Sequence, residues 1–222
     1  MLILNLKNYE ESTTTHLWKL LDSLNTLVEE RPDFKEKLLI APSMVFLLLA
    51  KERYPNLNFI SQHVDDKEQG STTGWTPAEV LVSNGINFSL INHSEHRVLP
   101  KNYVDELQSK GIKVIACCEN LDEAEIFLKS KAWAIAYEPK DLIGSGVSVT
   151  NRSEDVKKFT KALKGKTKVI VGAGITKASD IKASIELGAD GVLVASAFVK
   201  SQDPYSKGYE LLNVFGEIDP EK

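Results

Sequence analysis

Eight short apolar runs return along the chain: "LILNL" (2–6), "KLLIAP" (37–42), "LNFISQ" (57–62), "NFSLIN" (87–92), "KVIAC" (113–117), "WAIAYE" (133–138), "KVIVG" (168–172) and "GVLVA" (191–195). They recur at intervals of roughly 20 to 35 residues, too wide for hairpins and wide enough for strand, crossover helix, strand. Most are apolar almost throughout instead of alternating, the pattern of strands covered on both faces. Helical periodicity fills the gaps. Leu17, Leu20, Leu21, Leu24, Leu27 and Val28 keep to one face of a helix that Pro32 stops. Pro100 takes the first helical position before "KNYVDELQSK" and Gly111 lies just past its end, while Ser153 and Asp155 cap a helix through "VKKFTKALKG". Eight strands alternating with helices predict an α/β chain, residues 1–222 in a single domain, closed as a (β/α)8 barrel instead of an open doubly wound sheet. The length of 222 residues falls short of the ~250 usual for that fold, so connecting helices must be trimmed, here expected after residues 70 and 120.

Composition narrows the partners. A net charge of -4, a pI near 5.7 and no run of Lys or Arg give neither nucleic acid nor an anionic membrane a surface to bind. The apolar start is broken at Lys7, too early for a signal-peptide core or a membrane span, so a soluble cytoplasmic protein is expected. Cys117 and Cys118 are adjacent, too close for an ordinary disulfide, and nothing points to an oxidising compartment.

In a barrel of this kind the carboxyl ends of the strands carry the chemistry, because eight loops converge there on a rigid rim. The polar residues follow that rule. The first run ends in Asn5 and Lys7, the third leads to Gln62, His63 and Asp65, the fourth to Asn92, His93 and Glu95, and the sixth to Glu138. Each has a plain structural reading. Lys7 suits a solvated loop, and His93 can be satisfied by Ser94 and Glu95. Glu138 is harder to dismiss, since it follows "WAIAY", where an acid is poorly solvated, and Pro139 fixes its exit direction. On the fourth and sixth runs, His93 and Glu138 are expected to face one another across the mouth. Glycines mark the rest of the rim: "IGSG" (143–146), "GAG" (172–174) and the small pair Ala195-Ser196 place bare backbone N–H groups after the sixth, seventh and eighth runs. That is where such barrels hold a phosphate, which makes Ile143, Gly144, Gly174, Ala195 and Ser196 candidate binders of a small phosphorylated ligand. Neither glycine pair has the third glycine of a dinucleotide fingerprint, and no cofactor is implied.

Four of these segments, in order, resemble the triosephosphate isomerase family, specifically its short archaeal-type branch: "NLK" at 5–7, "GSTTG" at 70–74, "NHSEHR" at 92–97 and "YEPKDLIGSG" at 137–146. The resemblance implies a TIM barrel that interconverts dihydroxyacetone phosphate and D-glyceraldehyde 3-phosphate through an enediolate, as in glycolysis and gluconeogenesis, without cofactor or metal. It makes Glu138 the base, His93 the electrophile at the opening of a helical turn and Lys7 the cation that complements developing charge. Asn5 then shapes the pocket, Glu95 holds Lys7, His96 is exposed and Arg97 is a structural ion-pair partner. Residues 139–146 become a lid over the phosphate, and residues 70–76 a loop inserted into a second subunit, giving a homo-oligomer, dimer or tetramer. Val171 stands where many members carry a lid-latching tyrosine, Gly174 where a serine often touches phosphate, and Ala195-Ser196 where a glycine pair is usual. Trp75 is unusual in the intersubunit loop. Two other readings use the same rim. A metal-dependent phosphosugar epimerase needs His63, Asp65, His93 and Glu138 as ligands, and a noncatalytic phosphometabolite sensor needs the glycine loops without Glu138.

Overall fold

A computed structural model describes residues 1–98, 103–139 and 153–217. Seven of the eight apolar runs form laddered strands: β1 (Leu2–Asn5), β2 (Leu38–Ala41), β3 (Phe88–Ile91), β4 (Lys113–Cys118), β5 (Ala134–Tyr137), β6 (Lys168–Val171) and β7 (Gly191–Val194). All pair in parallel in the order β2-β1-β7-β6-β5-β4-β3, as strands must when a helix returns the chain to the same end each time. The remaining run, 57–62, lies between the two ends of that sheet. Phe59 bridges Ile40 of β2, and Ser61 bridges Ser89 of β3. Four backbone bonds seal the joint: Ile60 N–H to Ile40 (2.8 Å), Ile40 N–H to Asn58 (2.9 Å), Ser61 N–H to Phe88 (3.0 Å) and Leu90 N–H to Ser61 (2.9 Å). The sheet therefore curls into the expected barrel, and the third run pairs through single bridges where the others form ladders.

Closure explains why the runs are apolar on both faces. Inside the barrel lie Ile3, Leu39, Ala41, Ile60, Leu90, Ile115, Cys117, Ala134, Ala136, Ile170 and Leu193. Their neighbours Leu2, Leu4, Leu38, Ile40, Val114, Ala116, Ile135, Val169, Val192 and Val194 point outward into a larger layer beneath the helices. Alternation thus survives in geometry, while both destinations are dry.

The first long helix, His16–Glu30, buries all six residues of its predicted stripe, and Pro32 opens a 3-10 turn where the helix stops. Truncating a fully buried member such as Leu24 to alanine costs about 2–5 kcal/mol. The C-terminal helix Pro204–Glu217 packs on this one where Gly208 has no side chain, since a Cβ there would lie 2.8 Å from Leu27 Cδ1. The predicted helices Tyr103–Ser109 and Ser153–Leu163 are present, and Gly111 takes the left-handed conformation (φ +97°) expected past a helix end. Pro100 lies outside the described residues. The trimming expected after residue 70 appears as the six-residue helix Ala78–Ser83, whereas the helix after residue 120, Leu121–Lys129, runs nine. Further shortening falls on Leu47–Arg53 and on Ser196–Val199, which has one turn.

Candidate active site

The carboxyl ends of β1, β3 and β5 bring Lys7, His93 and Glu138 together. Lys7 and the residue before His93 sit on constrained backbone. Lys7 is left-handed (φ 49°), a conformation unfavourable without glycine. It is held from both sides: its N–H donates to Asn5 Oδ1 (3.1 Å), and its carbonyl accepts from Gln62 Nε2 (3.1 Å). Asn5 therefore fixes the lysine's turn as well as lining the pocket. The lysine Nζ then meets Glu95 Oε1 at 2.7 Å, as expected for a carboxylate that holds it.

Asn92 is the second left-handed residue (φ 56°). Its buried amide donates to the Cys117 carbonyl (2.8 Å) and accepts the Val98 N–H (3.1 Å), so it clamps both ends of the segment that carries His93. Within that segment the His96 N–H donates to the His93 carbonyl (2.8 Å), closing one turn; the described residues continue it no further as helix. The Glu95 N–H donates to His93 Nδ1 (3.2 Å). A ring nitrogen that accepts carries no proton, so the imidazole proton resides on Nε2, the nitrogen facing the cavity.

His93 Nε2 lies 3.6 Å from Glu138 Oε1, too far for a hydrogen bond. Both side chains are buried, and His93 Nε2 and Glu138 Oε2 have no hydrogen-bond partner among the described residues. Unpaired polar atoms inside a protein are costly, so two on side chains this close make a candidate ligand site. The expectation that these residues confront each other across the mouth is corrected: β3 and β5 flank β4 in the ring, and the two side chains meet above it.

Glu138 leans on two residues that the rim pattern does not single out. Cys117, on β4, lies buried beside the carboxylate; burial first, and then the charge of Glu138, push the thiol well above its ordinary range, so it stays protonated. Gly172 leaves room for the side chain. A Cβ there would come within 2.8 Å of Glu138 Cγ and 3.0 Å of Oε1. Its N–H is not bare, as the glycine pattern suggested, but donates to the Tyr137 carbonyl (3.0 Å).

Beyond Glu138, Lys7, Glu95, Tyr9, Gly174, Ala195 and Ser196 share a cavity of about 370 Å³. Ala173 and Gly174 are both left-handed (φ 70° and 67°), turning the chain sharply there. Asp180 pins the loop that follows, accepting from the Thr176 N–H (2.9 Å) and the Lys177 N–H (3.2 Å). Ser196 begins the single helical turn after β7. Gly174, Ala195 and Ser196 thus stand together as predicted, and Tyr9 joins them unannounced, its ring under Lys200 Nζ (4.8 Å). Ile143, Gly144 and the rest of the expected lid beyond Pro139 lie outside the described residues.

A model of the family described as triosephosphate isomerase matches residues 1–213. The chain belongs to the triosephosphate isomerase family. It is 38% identical over 208 residues to the triosephosphate isomerase of Thermoplasma volcanium, covering 91% of this chain and 94% of that one. It is 37% identical over 218 residues to that of Cenarchaeum symbiosum (95% and 96% covered), and 34% over 211 to that of Methanobrevibacter smithii (92% and 93%). These archaeal relatives agree with the short branch, and the family fold is the TIM barrel built above. The family is one of isomerases.

The four residues of the epimerase reading separate into two pairs. His63 Nε2 meets Asp65 Oδ1 (3.2 Å), apart from His93 with Glu138, and among the described residues no three His, Cys, Asp or Glu side chains are placed to hold a metal ion. His96 is exposed, as expected, but its ring also stacks on His63 at 3.9 Å between centroids. Arg97 forms the anticipated ion pairs, with Glu123 and, at 3.6 Å, Glu119.

Proposed function

We propose that this chain, as one barrel domain of residues 1–222, interconverts dihydroxyacetone phosphate and D-glyceraldehyde 3-phosphate in the cytoplasm, serving glycolysis and gluconeogenesis. The observation that carries the reading is the pair of buried atoms His93 Nε2 and Glu138 Oε2, unpartnered among the described residues, on side chains that approach to 3.6 Å. The Glu138 carboxylate takes a proton from the carbon beside the substrate carbonyl. Electrons move onto the carbonyl oxygen as the carbon–carbon double bond forms, giving an enediolate and a Glu138 carboxylic acid. The same acid returns the proton to the neighbouring carbon. Neutral His93 donates from Nε2 to the substrate oxygens, a role for which this family is itself the reference case. The Lys7 ammonium stabilises the negative charge where it develops.

The phosphate is assigned to the 370 Å³ cavity, against Gly174, Ala195 and Ser196, with Ile143 and Gly144 completing it from the lid. Lid closure that expels water would sharpen Glu138 as a base and keep the enediolate from losing its phosphate. A homo-oligomer, dimer or tetramer, forms through residues 70–76. Trp75 is 53% exposed in this chain alone, an area of aromatic surface that a second subunit would cover. The buried, free Cys117 and Cys118 suit a reducing compartment.

A coupled isomerase assay run with a chelator tests the assignment. Turnover is expected to persist. Activity that vanished with the chelator and returned with zinc or iron would favour an epimerase-like metal enzyme, and tight phosphate binding without turnover would favour a sensor.

A further inference from the structure

The stacked imidazoles of His63 and His96 join two segments that the proposed reaction uses separately. His63 is buried, and its Nε2 meets Asp65 Oδ1 at 3.2 Å. Asp65 in turn closes the base of the 65–76 loop. Its Oδ2 accepts the Thr76 N–H (2.6 Å), and its own N–H donates to the Thr76 carbonyl (2.9 Å). On the other side, the His63 ring lies on that of His96 at 3.9 Å and 21°. His96 closes the turn that presents His93 and Glu95, and Glu95 holds Lys7. A continuous path of contacts therefore runs from the loop, through Asp65, His63 and His96, to the electrophile and the cation.

We propose that His63 is a positioning residue, which couples closure of the 65–76 loop to the placement of the 93–96 turn through its stack on His96. The inference rests on the isomerase reading and deepens it, since neither imidazole of the stack touches the reacting atoms.

The coupling has a pH signature. Among the described residues, charged or titratable groups around His63 are Asp65 beside it, His96 on its face, and Lys7, Tyr9, His93 and Glu95 across the shared cavity of about 660 Å³; Tyr103 stands behind Asp65 and Asp66. Burial first, and then His96, hold His63 below its ordinary pKa of 6.5, with Asp65 opposing. A histidine whose folded pKa is lowered takes up protons more readily once released, so the stacked state loses stability as pH falls below 6.5. A proton on His63 is opposed by charge on the His96 ring stacked upon it.

The test measures kcat and KM for glyceraldehyde 3-phosphate from pH 5 to 9 in the parent, His96→Ala, His63→Leu, His63→Phe and the double variant His63→Leu/His96→Ala. Loss of the stack is expected to lower kcat about tenfold at pH 8, with a smaller change in KM, because the turn is misplaced. His63→Phe restores a flat ring, so it should recover most of that loss and should lack the acid limb that the parent shows through the imidazole range. The double variant should be no slower than the worse single one, as for residues acting in series. Three results would each overturn the proposal: equal damage from Leu and Phe, an acid limb retained in His63→Phe, or losses that multiply in the double variant. Should the parent show no isomerase activity, the functional reading fails on its own, and the coupling is decided by hydrogen exchange of residues 66–76. Faster exchange in His96→Ala, whose changed side chain is exposed, supports it; unchanged exchange refutes it.

Discussion

At the floor of the barrel, where the strands begin, polar groups find partners: Asp190 accepts the Val169 N–H (2.8 Å), and its carbonyl takes the Met1 ammonium (2.8 Å). Trp133 packs edgewise on Phe88 and carries Lys168 Nζ over its face (4.6 Å). The mouth is built from the other ends of the same strands and is the reverse. Three of the four described non-glycine residues with left-handed backbone, Lys7, Asn92 and Ala173, sit there, each worth about 1–3 kcal/mol of strain. So do His93 Nε2 and Glu138 Oε2, unpartnered among the described residues. Strain and unmet hydrogen bonds gather where a substrate can relieve them, while the floor supplies the stability that tolerates them.

If that division is real, substitutions at the two ends fail in different ways. The largest effect is expected from Glu138→Gln, which keeps size and hydrogen bonding but removes basicity; kcat should fall by ~10²–10⁴ with the melting temperature held or raised. Next is Gly172→Ala. Its Cβ displaces the Glu138 carboxylate, and a shift of that kind costs about a hundredfold in kcat with little change in substrate binding. Steady-state kinetics beside thermal melts would check both. His93→Gln retains a donor for the substrate oxygen, so a loss of about tenfold is expected, smaller than that of Glu138→Gln. At the floor, Gly191→Ala drives a Cβ into the Met1 backbone carbonyl, and denaturant unfolding should register about 1–3 kcal/mol of destabilisation with kcat unchanged. A floor substitution that slowed catalysis while leaving stability intact would break the comparison.

Much of this architecture is legible in the amino-acid sequence. All eight runs lie in the barrel wall, since parallel strands buried on both faces leave an unusually plain signal. Lys7, His93, Glu95 and Glu138 are legible for a related reason: polar residues just past an apolar run must emerge at one rim. Pairings between distant segments leave no such trace. Nothing near Gly172 announces that its missing side chain makes room for Glu138, 34 residues earlier, and its neighbours instead suggest a phosphate loop. Cys117 reads as one more buried strand residue until β4 sets it beside the carboxylate. The stack of His63 on His96 depends on the third run seating itself between β2 and β3, a closure that single bridges achieve.

The central claim, that Glu138 moves the carbon-bound proton, is tested most directly by following exchange of that proton with solvent. Dihydroxyacetone phosphate incubated in deuterated buffer with the parent enzyme should acquire deuterium at the carbon that loses its proton, at a rate commensurate with turnover. Glu138→Gln, confirmed as folded, should slow the exchange by the same ~10²–10⁴ as kcat. Exchange at the parent rate in that variant would place the base elsewhere and contradict the account.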